Sequence, residues 1–310
     1  MPTLLFISPH DHAAAWIDAL RAQVPDLTYR VWPDCPDPAD VVYALAWRPP
    51  PGVLAGLPNL EVIFSLGAGV DAMLEDPTLP NLPLVRMVDY GLTEGMTEYV
   101  CQQVLYWHRG AGDFQEHQRR RDWHKPQELK LARERRVGVL GLGVLGADAA
   151  TVLKALRFDV AGWSRTPKTL PGIETFHGEE GLRTLLSGAE ILVCLLPLTS
   201  ETEGLLDAEL FAALPRGAVV INAARGQHLV EEDLIPALDS GQLAGASLDV
   251  FHAEPLPRDH PFWTHPRIVV TPHIASLTQP RTAVGSIADG IRRHRAGEPL
   301  INLVDRARGY

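Results

Sequence analysis

Val137-Gly138-Val139-Leu140-Gly141-Leu142-Gly143-Val144-Leu145-Gly146 decides the fold of this 310-residue chain. A short apolar run leads into three glycines spaced G-x-G-x-x-G, and an apolar helical pattern continues to about residue 156. Strand, glycine turn and helix in that order are the fingerprint of a dinucleotide-binding βαβ unit. Gly141 suits the tight turn, Gly143 lets the backbone approach a pyrophosphate, and Gly146 allows the helix to pack closely. Val144 and Leu145 open the helix, whose first amides and partial positive charge favour phosphate.

The next strand is expected over residues 160–164, and its end reads Trp163-Ser164-Arg165-Thr166. An NAD-binding fold places an acid on the ribose about 20 residues after the glycine turn. Here the acid is replaced by Arg165, whose fork matches a 2′-phosphate, with hydroxyls from Ser164 and Thr166 and further charge from Lys168. The cofactor expected on these grounds is NADPH rather than NADH.

Further strands are expected at 191–196, 218–222, 244–249 and 268–271, with helical stretches at 207–214 and 230–238 between them. This is the doubly wound order expected around a dinucleotide loop. The chain before the loop holds a second α/β unit. Strands are expected at 4–7, 27–32, 41–46, 60–65 and 85–88, and a helix at 13–22. Strands alternating with helices imply a parallel sheet covered on both faces. A long helix is expected to start at the capping pair Thr93-Glu94 and run past Trp107, followed by an irregular polar stretch over 119–136. A last helix over 280–295 returns the chain to the first unit. The expected domains are therefore 1–97 with 281–310, and 98–280.

Three segments of the second unit lie at strand ends, where open α/β sheets bind ligands. They are Asn222-Ala223-Ala224-Arg225-Gly226, Asp249-Val250-Phe251-His252-Ala253-Glu254-Pro255 and Thr271-Pro272-His273-Ile274-Ala275. An arginine, a carboxylate and a histidine could converge there. Arg225 is suited to hold the carboxylate and polarise the carbonyl of a 2-oxo acid. His273 is suited to deliver a proton to the carbonyl oxygen. Glu254, if paired with His273, would orient the ring and favour its protonated form. Singly, each has an ordinary structural reading; together, at three strand ends, they read as catalytic. Leu196 and Pro197, at and just past the end of the 191–196 strand, and Ala223 join the expected cofactor-binding set.

Composition narrows the class. The chain is 46% hydrophobic and 21% charged with a formal net charge of -10, which excludes a polyanion-binding surface. The basic run Arg119-Arg120-Arg121 reads as a solvated face or an interface. Cys35, Cys101 and Cys194 have no zinc-like spacing, and Cys194 reads as a small buried hydrophobe. Pro9-His10-Asp11-His12 has no second ligand cluster, so no metal is expected. No apolar run approaches the ~18 residues of a membrane span, and the 4–7 segment lacks a basic leader, so a cytoplasmic location is expected.

On these residues the chain resembles the D-2-hydroxyacid dehydrogenases, and within them the reductases of glyoxylate and hydroxypyruvate. The resemblance rests on Leu66-Gly67-Ala68-Gly69-Val70-Asp71, the 141–146 turn, Trp163-Ser164-Arg165-Thr166 and Ala224-Arg225-Gly226. Leu248-Asp249-Val250-Phe251, Glu254-Pro255-Leu256-Pro257, Pro272-His273 and Val304-Asp305-Arg306-Ala307-Arg308-Gly309-Tyr310 extend it along essentially the whole chain. It implies a Rossmann cofactor domain beside a smaller flavodoxin-like substrate domain built from both chain ends. It implies Arg225, Glu254 and His273 as catalytic residues, and the backbone amides of Ala68 and Gly69 as ligands of the substrate carboxylate, as suits a glycine turn. Asp249 matches the family's acid near the nicotinamide carboxamide, although a strand-end aspartate equally caps a turn. Trp47-Arg48 either walls the substrate pocket or is a packed tryptophan beside a surface arginine. Ala223-Ala224 and His252-Ala253 depart from the commoner family patterns without removing a reacting group. The expected activity is NADPH-dependent reduction of small 2-oxo acids by a homodimer. The alternatives are a dehydrogenase of a bulkier 2-hydroxy acid or one running in the oxidising direction, and a nucleotide-sensing protein that has largely lost turnover.

Overall fold

The structure is a computed structural model that describes residues 1–309. The last residue of the terminal motif, Tyr310, lies outside the described residues. In chain order the elements are β1 (Thr3–Ile7), α1 (Ala13–Gln23), β2 (Thr28–Val31), β3 (Val41–Ala46), β4 (Val62–Ser65), α2 (Asp71–Leu74) and β5 (Leu84–Val85). Two helices follow, α3 (Tyr90–His108) and α4 (Ala111–Arg120). The remainder comprises β6 (Arg136–Leu140), α5 (Val144–Ala155), β7 (Asp159–Trp163), β8 (Glu174–Phe176), α6 (Gly178–Gly188), β9 (Ile191–Cys194), α7 (Ala208–Ala213), β10 (Ala218–Asn222), α8 (Glu231–Asp239), β11 (Leu243–Leu248), β12 (Ile268–Val270) and α9 (Pro280–Ala296).

The chain divides into two compact units, one of Met1–Leu92 with the chain from Thr278 on, the other of Thr93–Leu277. The first carries a parallel five-stranded sheet in the order β2-β1-β3-β4-β5. This is the flavodoxin-like winding. Its strands read as apolar runs because both faces are covered. Leu4, Phe6, Tyr43 and Leu45 enter one core, while Leu5, Ile7, Ala44 and Ala46 enter the other. Helix α9 closes the first of these cores with Ala283, Val284, Ile287, Ala288 and Ile291, one stripe at helical spacing.

The second unit carries seven parallel strands in the order β12-β11-β10-β9-β6-β7-β8. The chain winds outward from β6 in one direction, then returns to β9 and winds in the other, so the topological switch lies between β6 and β9. Alternate residues again serve two cores. Val137, Val139, Ile191, Val193, Val219 and Ile221 face one, and Leu140, Leu192, Cys194 and Val220 the other. Cys194 is fully buried, and burial pushes its thiol up to about 12, which leaves it unreactive.

Three local expectations need correction. The long helix starts at Tyr90 rather than Thr93, because the Asp89 carboxylate accepts the Leu92 N–H at 3.2 Å. The 119–136 stretch is not wholly irregular: Arg119 and Arg120 lie in α4. The strand expected at 85–88 is confined to Leu84–Val85, since beyond it Arg86 N–H turns to the Asn302 carbonyl and Met87 N–H to the Gly67 carbonyl, each at 3.0 Å. Among the described residues no helix is long and apolar enough to cross a membrane.

Candidate active site

In the seven-stranded unit the strand register builds the site. Trp163 pairs with Leu140, Leu140 with Cys194, Cys194 with Asn222, Asn222 with Leu248, and Leu248 with Val270. These residues form one row across the carboxyl ends of the strands. The segments after them hold Ser164 and Arg165, the glycine turn, Leu196 and Pro197, Ala223 to Arg225, Asp249, and His273. Residues far apart in sequence are thereby delivered to a single sheet edge.

The glycine turn has the shape a dinucleotide requires. Gly141 sits at φ +98°, where L side chains are strained, and a Cβ there would come within 2.6 Å of the Leu195 carbonyl oxygen. A Cβ on Gly146 would overlap the carbonyl of Gly141, so the helix packs onto the turn only because this residue is glycine. Around Gly143, by contrast, a Cβ would meet nothing within 4 Å. That open space lies at the N-terminus of α5, where the first amides of a helix, including those of Val144 and Leu145, lack partners within it. The cradle fits the phosphates of a dinucleotide.

Beyond β7, Arg165 and Thr166 are exposed, as is Lys168. Arg165 Nη1 lies 4.0 Å from Glu201 Oε2. The Ser164 hydroxyl donates to the Thr166 carbonyl at 2.8 Å, so its one hydrogen shapes the loop rather than facing a ligand. Leu196 and Ala223 are buried at the ends of β9 and β10, and Pro197 is half-buried.

Glu254 and His273 are directly paired. Nδ1 of His273 lies 2.9 and 3.0 Å from the two Glu254 oxygens, so an Nδ1–H donates to the carboxylate and Nε2 is left for other chemistry. Glu254 also accepts the Phe251 N–H at 3.2 Å, which curls the segment back on itself. His273 takes φ +55°, an uncommon backbone state for a residue with a side chain. Asp249 holds it there. Its backbone carbonyl accepts the His273 N–H at 2.8 Å, and its carboxylate accepts the N–H groups of Ile274 at 2.9 Å and Ala275 at 2.8 Å. The Thr271 hydroxyl adds a donor at 2.6 Å and is itself bonded to the Tyr99 hydroxyl at 2.8 Å. Burial pushes the Asp249 carboxyl up, while these donors and the nearby imidazole oppose that rise.

Arg225 lies on the neighbouring loop. Its Nη1 donates to the Ala224 carbonyl at 2.6 Å, and its carbonyl accepts Asn222 Nδ2 at 2.9 Å. The following Gly226 rests on the Phe251–His252 peptide so closely that a Cβ would overlap it, which fixes the arginine loop against the segment carrying Glu254. The other histidines near these segments are engaged elsewhere. His252 Nε2 meets the Leu229 carbonyl at 2.8 Å, His260 lies 3.4 Å from Glu231, and His265 lies 3.5 Å from Asp239.

The five-stranded unit has its own strand-end cluster. Ile7, Ala46 and Ser65 are in register, and Trp47 and Leu66 follow them. The Ser65 hydroxyl donates to the Gly67 carbonyl at 2.9 Å and accepts the Gly67 N–H at 3.2 Å, bending the chain into the turn that carries Ala68 and Gly69. The Trp47 indole lies over Gly67 where a Cβ would stand, so tryptophan and turn are packed together. The Arg48 guanidinium stands 5.9 Å from the Trp47 ring.

Sequence reading missed His228, Tyr99 and Thr271. Thr271 stood inside a quoted motif, and His228 is a polar residue in the buried stretch just after Arg225. Nothing in sequence marks Tyr99, whose partner lies 172 residues away. Among the described residues one group, His117, Asp122 and His124, lies close enough together to hold a metal ion. Its two imidazoles stack at 4.4 Å with 7° between their planes. An imidazole binds metal in its own plane, and parallel separated planes share no such point, so this is not a formed metal centre.

The family described as D-isomer specific 2-hydroxyacid dehydrogenase, NAD binding domain, matches residues 101–275. The glyoxylate/hydroxypyruvate reductase A of Serratia proteamaculans is 44% identical, over 99% of this chain and 99% of its own length. A D-isomer specific 2-hydroxyacid dehydrogenase from Xanthobacter autotrophicus Py2, solved with NADPH and MES, is 48% identical with a TM-score of 0.96, covering 100% of this chain and 99% of that one. The NADPH-dependent glyoxylate/hydroxypyruvate reductase of Sinorhizobium meliloti, solved with NADP and sulfate, is 38% identical with a TM-score of 0.94 and covers 100% and 99%.

Proposed function

The chain belongs to the D-isomer-specific 2-hydroxyacid dehydrogenase family, and from that premise we propose that it reduces glyoxylate and hydroxypyruvate with NADPH. The observation that carries this reading is the Glu254–His273 pair standing on the same sheet edge as Arg225 and the glycine turn. Its full-length likeness to relatives of that activity supports the choice of acids.

The 141–146 turn and the α5 amides hold the pyrophosphate, and Arg165 with Thr166 and Lys168 faces the 2′-phosphate. Held there, NADPH would supply the hydride for the carbonyl carbon. Arg225 grips the substrate carboxylate and stabilises negative charge on the carbonyl oxygen. His273 gives that oxygen a proton from Nε2, and Glu254 accepts the Nδ1–H and orients the ring. Proton loss from the ring is made good from solvent. Asp249 anchors the histidine loop, and one acceptor position left on its Oδ2 would serve the nicotinamide carboxamide. In the five-stranded unit, the Ala68 and Gly69 amides beside Trp47 form a turn suited to an anion.

Replacing Arg165 with Ala is expected to raise the KM for NADPH about 10- to 100-fold, since a charge-assisted hydrogen bond contributes about 1.5–3 kcal/mol. The KM for NADH should not change. Steady-state kinetics with both cofactors checks this, and an equal loss with both would remove Arg165 from the 2′-phosphate site.

We further read the protein as a homodimer in the cytoplasm. Helix α4 buries none of its side chains, and Phe114 on it and Trp123 just beyond it are exposed, aromatic groups on a polar face suited to a second copy. The free thiols Cys35, Cys101 and Cys194 suit a reducing compartment. Light scattering reports the oligomeric state directly.

NADPH oxidation compared across glyoxylate, hydroxypyruvate, pyruvate and a branched 2-oxo acid tests the activity. Highest kcat/KM with the first two is expected. Preference for the branched acid would favour a dehydrogenase of bulkier substrates, and tight NADPH binding without turnover on any acid would favour a sensor.

A further inference from the structure

We propose that His228 is a positioning residue for Arg225, clamping the arginine's main chain to the loop that follows β9. The inference rests on the reading of Arg225 as the substrate-binding arginine. His228 is completely buried. Its Nδ1 accepts the Arg225 N–H at 3.2 Å, and its Nε2 lies 3.3 Å from the Pro197 carbonyl. A neutral ring with its hydrogen on Nε2 satisfies both contacts at once. Nδ1 also lies 3.1 Å from the Arg225 carbonyl, but that oxygen already receives Asn222 Nδ2, so the accepting role leaves every group matched.

The ring joins two loops that are laced together on either side of it. Gly204 N–H donates to the Gln227 carbonyl and Leu206 N–H to the His228 carbonyl, each at 2.8 Å. The Thr202 hydroxyl donates to the Pro197 carbonyl at 2.7 Å, so this carbonyl is held from two directions. One loop carries Arg225 and the other carries Pro197, a member of the cofactor-binding set. Gly226 fixes the far side of the arginine loop on the Phe251–His252 peptide. Arg225 is therefore held between a histidine and a peptide. Its guanidinium sits at the end of a long flexible chain, so its reach depends on where the main chain is set, and small misplacements in a reacting constellation cost about 10²-fold.

The test is a KM-against-kcat split in a short series. His228→Ala is expected to raise the KM for glyoxylate about 10- to 100-fold, with the Kd for NADPH within a few-fold of the parent. His228→Asn keeps an acceptor near the Nδ1 position and should recover most of that loss. His228→Gln carries its amide beyond that position, towards Pro197, and should recover less. If His228→Ala does not fold, the Asn and Gln variants still decide, since Asn must then bind glyoxylate more tightly than Gln. A fall in Tm with the glyoxylate KM unchanged throughout the series would overturn the proposal and leave His228 a packing residue. Arg225→Gln is measured alongside. If it leaves the glyoxylate KM unchanged, the reading of Arg225 fails. If it raises KM while the His228 series does not, only the present inference fails.

Discussion

Replacing His273 with Gln is expected to lower kcat for glyoxylate reduction by about 10²- to 10⁴-fold, the contribution of a positioned general acid. NADPH affinity should be little altered, because His273 lies outside the glycine turn and the Arg165 loop. Glutamine keeps a polar group near the same place but has no proton to give. The loss therefore separates proton delivery from simple contact with the carbonyl oxygen. The Glu254 carboxylate at 2.9 Å makes this reading specific, because it engages Nδ1 and leaves Nε2 as the nitrogen that carries the transferable proton. A His273→Gln enzyme of near-normal kcat, measured by steady-state NADPH oxidation, would remove His273 from the chemistry.

Arg225→Lys is expected to cost about 10²- to 10³-fold in kcat/KM despite retaining the charge. A guanidinium presents a planar fork that matches a carboxylate and can serve the adjacent carbonyl oxygen with another N–H. An ammonium is a point charge on a differently shaped chain. The arginine also spends one Nη1 hydrogen on the Ala224 carbonyl at 2.6 Å, a bond that sets its direction out of the loop. Loss in both KM and kcat would mark a group that binds the ground state and stabilises developing charge. An Arg225→Lys enzyme with parental kcat/KM would show that charge alone suffices, and the fork would have no role.

Much of the fold was legible because parallel strands buried on both faces leave plain apolar runs. The strand expected over 41–46 matches β3, and that over 218–222 matches β10. Elements with little buried surface were not legible. Helix α4 buries no side chain, so no apolar stripe announces it. Strand β8 is a three-residue edge with no fully buried residue. Helix α6 begins and ends with glycine, and its apolar stripe is only Leu182, Leu185 and Leu186, a short signal beside two chain-breaking residues. The start of α3 was misplaced because Asp89 outcompetes Thr93 as the residue that receives the first free amides.

The candidate site divides in the same way. Arg225, Glu254 and His273 could be named because chemistry-bearing residues at strand ends stand out against apolar strands. The support around them was hidden. The Tyr99–Thr271–Asp249 chain depends on a helix meeting the end of β12, a relation no local pattern encodes. The internal bond of Ser164 depends on the turn it stabilises, so a hydroxyl expected to face phosphate faces the Thr166 carbonyl instead.

Mixing the protein with NADPH and glyoxylate, and following nicotinamide oxidation together with product, tests the central claim most directly. One glycolate should form for each NADPH consumed, with kcat/KM well above that obtained with NADH. Binding of NADPH without glycolate formation from glyoxylate, or glycerate from hydroxypyruvate, would contradict the account.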